Sequence, residues 1–258
     1  MLWKYFGTFV NAAAVIIGGL LGPLIRVRMR KKRAENAKMT RQPLPETMMF
    51  CLGLCTIFAA ASGLLGVQSG AQALIVVVSM VLGLLIGYAL RLDDRINDLG
   101  NRVIRRFGGS DTANPGTGFV TACLLFCIGS MTVLGSFEGA MNPPDRLDLN
   151  CHTTMLIKSL LDFVSATCLS ITYGASVAAS ALFVLASQGL LTTLSGMVQP
   201  FLTRVNALPA VYCVGSMVLI VIALNLMNIK KSKTADYLPA IFLPILICWI
   251  LNLAGAAV

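Results

Sequence analysis

TMLIKSLLDFVSATCLSIT, running from Thr154 to Thr172, is apolar over most of its length yet carries Lys158 and Asp162 near its middle. Its length suits a bilayer core crossed by a helix rising about 1.5 Å per residue. A spacing of four puts the ammonium and the carboxylate on one helical face, close enough to pair. A lone charge near a bilayer centre costs roughly 3 kcal/mol or more, so such residues point to a polar site inside a helix bundle. The alternative is a structural ion pair that fixes helix register.

Working outward, seven further apolar runs of similar length occur, at Phe6–Ile25, Met48–Val67, Ala73–Leu90, Gly118–Phe137, Ser176–Met197, Pro209–Met227 and Tyr237–Ala254. The expected fold is therefore all-α, a polytopic transmembrane helix bundle of about eight spans. Residues 1–258 form one membrane domain, with no room for a separate soluble one.

The net charge of +9 follows the membrane rather than a nucleic acid. Arg26, Arg28, Arg30, Lys31, Lys32, Arg33, Lys38 and Arg41 follow the first span. Arg91, Arg95, Arg102, Arg105 and Arg106 follow the third, and Lys230, Lys231 and Lys233 the seventh. With eight crossings all three clusters share one side, which the positive-inside rule makes cytoplasmic. The other side holds only Lys4, Arg146 and Arg204. Both termini are then expected outside the cytoplasm. The first span has Lys4 as its only preceding basic residue, and its basic cluster comes after the apolar run. It reads as a retained anchor, not a cleaved signal peptide.

Two connections stand out. Residues 26–47 are basic, carry Pro43 and Pro45, and read as a mobile cytoplasmic loop against anionic lipid. Residues 91–107 place Leu92, Ile96, Leu99, Val103 and Ile104 near one face, as an amphipathic cytoplasmic helix would. Gly108–Gly118 then breaks the chain with Gly, Ser, Asn and Pro. Asn11, Gly19 and Pro23 match Gln188, Gly196 and Pro200 at one constant offset, and Cys51 and Gly53 match Cys213 and Gly215 at a shorter one. Such matches suggest an inverted repeat of spans 1–3 and 6–8, an arrangement that places transporter sites near the midplane. Coincidence in apolar sequence is the alternative.

The fourth span ends at Glu138 and carries Thr121, Ser130, Thr132 and Ser136. The fifth descends from His152 on the same outer side, so Asp162 should lie about 12 Å along the helix, near mid-membrane. Lys158 could snorkel outward toward Glu138, giving a polar track from the surface inward. Asn11, Gln188 and Asn225 are further polar groups in spans, for which interhelical hydrogen bonding is the plainer role. Gly18, Gly19, Gly22, Gly63 and Gly66 permit close packing, and Pro23 and Pro200 could end helices or break them. The cysteines show no zinc or cluster spacing, so no metal or cofactor is expected. Catalysis is not expected: the one histidine is at an outer edge, Asp162 is the only mid-span carboxylate, and no phosphate loop is present.

Several segments stand together in a familiar order: Gly7–Asn11, Leu124–Gly129, Gly135–Gly139, Lys158-Ser159-Leu160-Leu161-Asp162, and Leu224–Leu226 followed by Ile229-Lys230 and Leu238–Ala240. On these the chain resembles the YqgA/YdfK-like family of prokaryotic inner-membrane proteins, a domain of unknown function, over nearly its whole length. The Lys158–Asp162 segment is the most specific part. Many members follow the Glu of the fourth-span motif with a second acidic residue; here the position is Gly139, which argues against a two-carboxylate site at that corner. The resemblance implies a fold and a bacterial inner-membrane location, but no activity.

The functional expectation is thus a secondary transporter or permease for a small solute or ion. Its candidate binding residues are Asp162, Lys158, Glu138, Ser159, Asn11, Gln188 and Asn225. The competing expectation is a non-transporting scaffold or sensor in which the pair is structural. Anionic lipid at the basic loops is the expected membrane partner, nucleic acid is not expected, and self-association stays open.

Overall fold

The computed structural model describes residues 2–35, 44–67, 69–106, 115–128, 130–141 and 145–254. Among them all regular structure is helical. Ten α-helices follow in order: α1 Phe6–Glu35, α2 Leu44–Leu64, α3 Gly70–Leu90, α4 Leu92–Arg106, α5 Pro115–Cys127, α6 Ser130–Ala140, α7 Thr153–Tyr173, α8 Ser180–Arg204, α9 Leu208–Leu226 and α10 Leu238–Leu253. Six helical stretches are long and apolar enough to cross a membrane, and the bent pair α5–α6 would make a seventh. Helix α2 adds a shorter apolar stretch, Glu46–Ala61.

The apolar side chains face outward as well as inward. Phe58, Leu74, Leu160, Leu182 and Phe242 are exposed on the sides of the bundle, while Asn11, Thr132, Ser136, Gln188 and Asp162 are buried. Water would not tolerate so wide an apolar surface; lipid does, and it leaves the polar groups to find one another inside. The chain is a membrane protein with a helical bundle fold.

Three pairings organise the bundle: α1 with α7, α2 with α9, and α3 with α10. Small residues let the backbones meet, as between helices in lipid, where close contact replaces the hydrophobic drive. A Cβ on Gly18 would come 2.5 Å from the Phe163 carbonyl oxygen, and one on Gly22 would strike Ser170 and approach the Ile171 nitrogen to 2.7 Å. The Ser170 hydroxyl donates to the Gly18 carbonyl at 3.1 Å, tying α7 to α1 at this contact. Gly83 and Gly87 of α3 meet Ala240 and Asp236 in the same way. Gly66, by contrast, has no neighbour closer than 3.4 Å.

Three expectations change. Residues 26–35 are not loop, because α1 runs on through the basic cluster to Glu35, and Pro23 sits inside it. Arg, Met, Lys and Ala are strong helix formers, and no glycine or proline interrupts them. The rest of that loop, 36–43, lies outside the described residues. Pro200 likewise falls within α8. The fourth span is not continuous: α5 and α6 meet at an angle of 57°. The sequence there reads Ile128-Gly129-Ser130, a pairing that favours kinks. The Thr132 hydroxyl donates to the Phe126 carbonyl at 3.1 Å, satisfying a group that the break would otherwise orphan.

In the segment expected to be amphipathic, helix α4 covers Leu92–Arg106; the side chains of Val103 and Ile104 lie outside the described residues, as do residues 107–114. Arg91 adopts left-handed backbone, φ 49°, and turns the chain out of α3 into α4. Helix α4 then packs on α5 and on the 3-10 turn Thr234–Tyr237.

Candidate functional site

Asp162 lies nine residues into α7, about 13.5 Å along an axis about 32 Å long, and so near its middle. Lys158 and Asp162 are both about 5 % exposed and form an ion pair within α7. The lysine therefore turns along its own helix and not outward: no ion pair joins it to Glu138, which is half-buried near the end of α6. The outer track expected from Lys158 to Glu138 is not formed.

Around the pair the helices leave a cavity of about 230 Å³. Helix α2 contributes Leu52 and Thr56, the break between α5 and α6 contributes Leu125 and Thr132, and α7 adds Ser165 beside the pair. Leu160 and Val164, at its rim, face the lipid side of the bundle. The bend between α5 and α6 borders this space through Ile128 and Met131.

On the other flank, the Asn11 amide donates to the Gln188 side-chain oxygen at 3.2 Å, joining α1 to α8. Both residues are fully buried. Asn11 also adjoins the Asp162 carboxylate. Its own oxygen, the Gln188 nitrogen and the Thr192 hydroxyl one turn further along α8 have no hydrogen-bond partner. Lys158, Asp162, Asn11 and Gln188 thus form one buried polar core at mid-bundle. Ser159 stands apart from it, donating to the Met155 carbonyl one turn back at 2.7 Å.

Asn225 belongs to a different place. It lies in the last turn of α9 and clasps the following loop, donating to the Ser232 carbonyl at 2.6 Å and accepting from the Ser232 nitrogen at 2.7 Å. Asn228 between them has left-handed backbone, φ 56°. This clasp borders a vestibule of about 930 Å³ at the end of the bundle that carries the basic residues, with Glu46, Asp93, Asn97 and Thr121 also on its walls.

Sequence reasoning missed the vestibule's latch. Asp93 accepts from the Ala235 nitrogen at 3.1 Å, and its own nitrogen donates to the buried Asp236 carboxylate at 2.9 Å. Burial pushes the Asp93 carboxyl above its ordinary value; the Ala235 N–H opposes the shift and the Asp236 charge adds to it. Lys233 pairs with Asp94 beside it at 2.6 Å, and that contact raises the lysine's pKa. Two acidic residues on a polar helix carried no signal for this, because their partners lie some 140 residues away in the chain.

A thin apolar layer divides the two cavities. On α9, Ile222 lines the vestibule and Leu219 the inner cavity, three residues or about 4.5 Å apart along the axis. Met49 and Leu52 stand in the same relation on α2, and all four belong to one packed cluster. Among the described residues no three His, Cys, Asp or Glu side chains gather as a metal would require.

The profile of a family described as "Protein of unknown function (DUF554)" matches residues 6–249. The "Uncharacterized membrane protein YdfK" of Bacillus subtilis (strain 168) is 26% identical over 257 residues, covering 97% of this chain and 98% of the relative. The "Uncharacterized protein YqgA" of Escherichia coli (strain K12) is 27% identical over 253 residues, covering 94% and 97% respectively. No solved structure matches the chain.

Proposed function

The chain belongs to the DUF554 family, and from that premise we propose that it is a secondary transporter or permease for a small solute or ion, with Lys158 and Asp162 at its binding site. One observation carries the proposal: the buried pair faces a cavity. A charge pair kept only to set helix register would join two helices, but here both partners belong to α7 and so encode no register between helices. Asn11 and Gln188 extend the polar site across to α8.

Two cavities in line, separated by one apolar layer, support an alternating-access mechanism. The vestibule opens on the end with the basic clusters, which we take as cytoplasmic, placing both termini on the periplasmic side of an inner membrane crossed eight times. Parting Met49, Leu52, Leu219 and Ile222 would join vestibule to site. The side chains Asn11 and Gln188, equivalent in the suggested inverted repeat, bond to each other across α1 and α8. Self-pairing of equivalent positions is what a pseudo-two-fold axis through the midplane would produce. Anionic lipid would hold the basic end of α1.

The test is uptake into proteoliposomes from a panel of labelled amino acids, organic acids, amines and inorganic cations. Saturable uptake should occur for one class and vanish in Asp162→Asn at equal protein incorporation. Uptake that is unchanged in that variant removes Asp162 from the mechanism. A scaffold or sensor is the second reading; it expects no uptake from any class.

A further inference from the structure

Resting on the transporter reading and deepening it, we propose that the inner cavity binds a compact zwitterion, an α-amino acid with a small apolar side chain. Its carboxylate would take Lys158 and its ammonium Asp162. Charge conservation inside a buried site is the first reason. Lys158 and Asp162 neutralise each other there. A cation entering alone would draw off Asp162 and strand the ammonium, and an anion alone would strand the carboxylate. A ligand bearing both charges can exchange both partners at once and leave none buried unpaired.

Size and lining are the second reason. At about 230 Å³ the cavity is smaller than the roughly 300–1,000 Å³ of pockets that take drug-sized ligands. Leu52, Leu125 and Leu219 on its wall offer an aliphatic side chain contact. Thr56, Thr132 and Ser165 are the hydroxyls at hand.

Ligand-induced thermal shift of the purified full chain in detergent tests this with three probes that share an isobutyl unit. L-Valine carries both charges, isobutylamine only the ammonium, and isovalerate only the carboxylate. Valine should raise the melting temperature saturably, with each single-charge probe at least about 100-fold weaker. The double variant Lys158→Met with Asp162→Leu should lose the valine shift, and Leu125→Trp, which fills the cavity but spares the pair, should lose it too. Equal shifts from isobutylamine or isovalerate overturn the proposal, as does a valine shift that survives in the double variant. No shift from valine, alanine or leucine, together with an Asp162-dependent flux of some ion, overturns the zwitterion and leaves the transporter standing. Absence of both binding and flux overturns the two together.

Discussion

Removing Lys158 alone should cost far more stability than removing it together with Asp162. In Lys158→Met the Asp162 carboxylate stays about 5 % exposed with its counter-charge gone. Breaking one side of a buried pair typically costs about 3–5 kcal/mol. An independent ceiling comes from the alternative of neutralising the orphan. Bringing an ordinary carboxylate, near 3.9, to its neutral form at pH 7 spans about 3 pH units at about 1.36 kcal/mol each, or about 4 kcal/mol. At pH 5 the same ceiling falls to about 1.5 kcal/mol. The variant's deficit relative to wild type should therefore shrink by more than half on acidification. Asp162→Leu strands an ammonium instead and should be destabilised by a similar amount. In the double variant with Leu no charge is stranded, and stability should match or exceed wild type, since well-packed apolar replacements of buried pairs are often neutral or better. The assay is equilibrium unfolding in detergent, followed by tryptophan fluorescence at pH 5, 7 and 9. A double variant as unstable as the worse single variant would refute the reasoning and assign the pair to structure.

Three other outcomes follow from particular contacts. Gly22→Leu should push α1 off α7, because its side chain would meet the Ser170 and Ile171 backbone; a loss of about 1–3 kcal/mol or failure to fold is expected in the same unfolding assay, whereas Gly66→Ala should be near neutral. Asp93, held above its ordinary value mainly by burial, contributes stability that is full below that ordinary value and is lost as pH rises through the raised one. Hydrogen-exchange protection of the Ala235 amide, corrected for intrinsic rate, should thus rise on acidification, and Asp93→Asn should flatten the dependence. Finally, a reporter active only in the periplasm should be active when fused at the carboxy terminus; activity of a cytoplasmic reporter there would contradict eight crossings.

The periodic, local features were legible in the chain. Apolar length named the helices, and α7, α9 and α10 differ from their expected limits by only a residue or so. The four-residue spacing of Lys158 and Asp162 paired them correctly because both lie on one helix, where geometry depends on spacing alone. Long-range placement was harder. Asn11 and Gln188 were singled out as a matched pair, yet their mutual bond depends on where α1 crosses α8. Glu138 shared an outer edge with the fifth span on paper but did not reach Lys158.

Membership of a membrane bundle, the basic end and the buried charges follow from composition, since the cost of charge in lipid acts on each residue separately. The bend between α5 and α6, the inner cavity beside it, the apolar layer beneath that cavity and the Asp93 latch belong to the folded molecule. They depend on how helices distant in sequence pack together, and glycine contacts and a few hydrogen bonds set that packing.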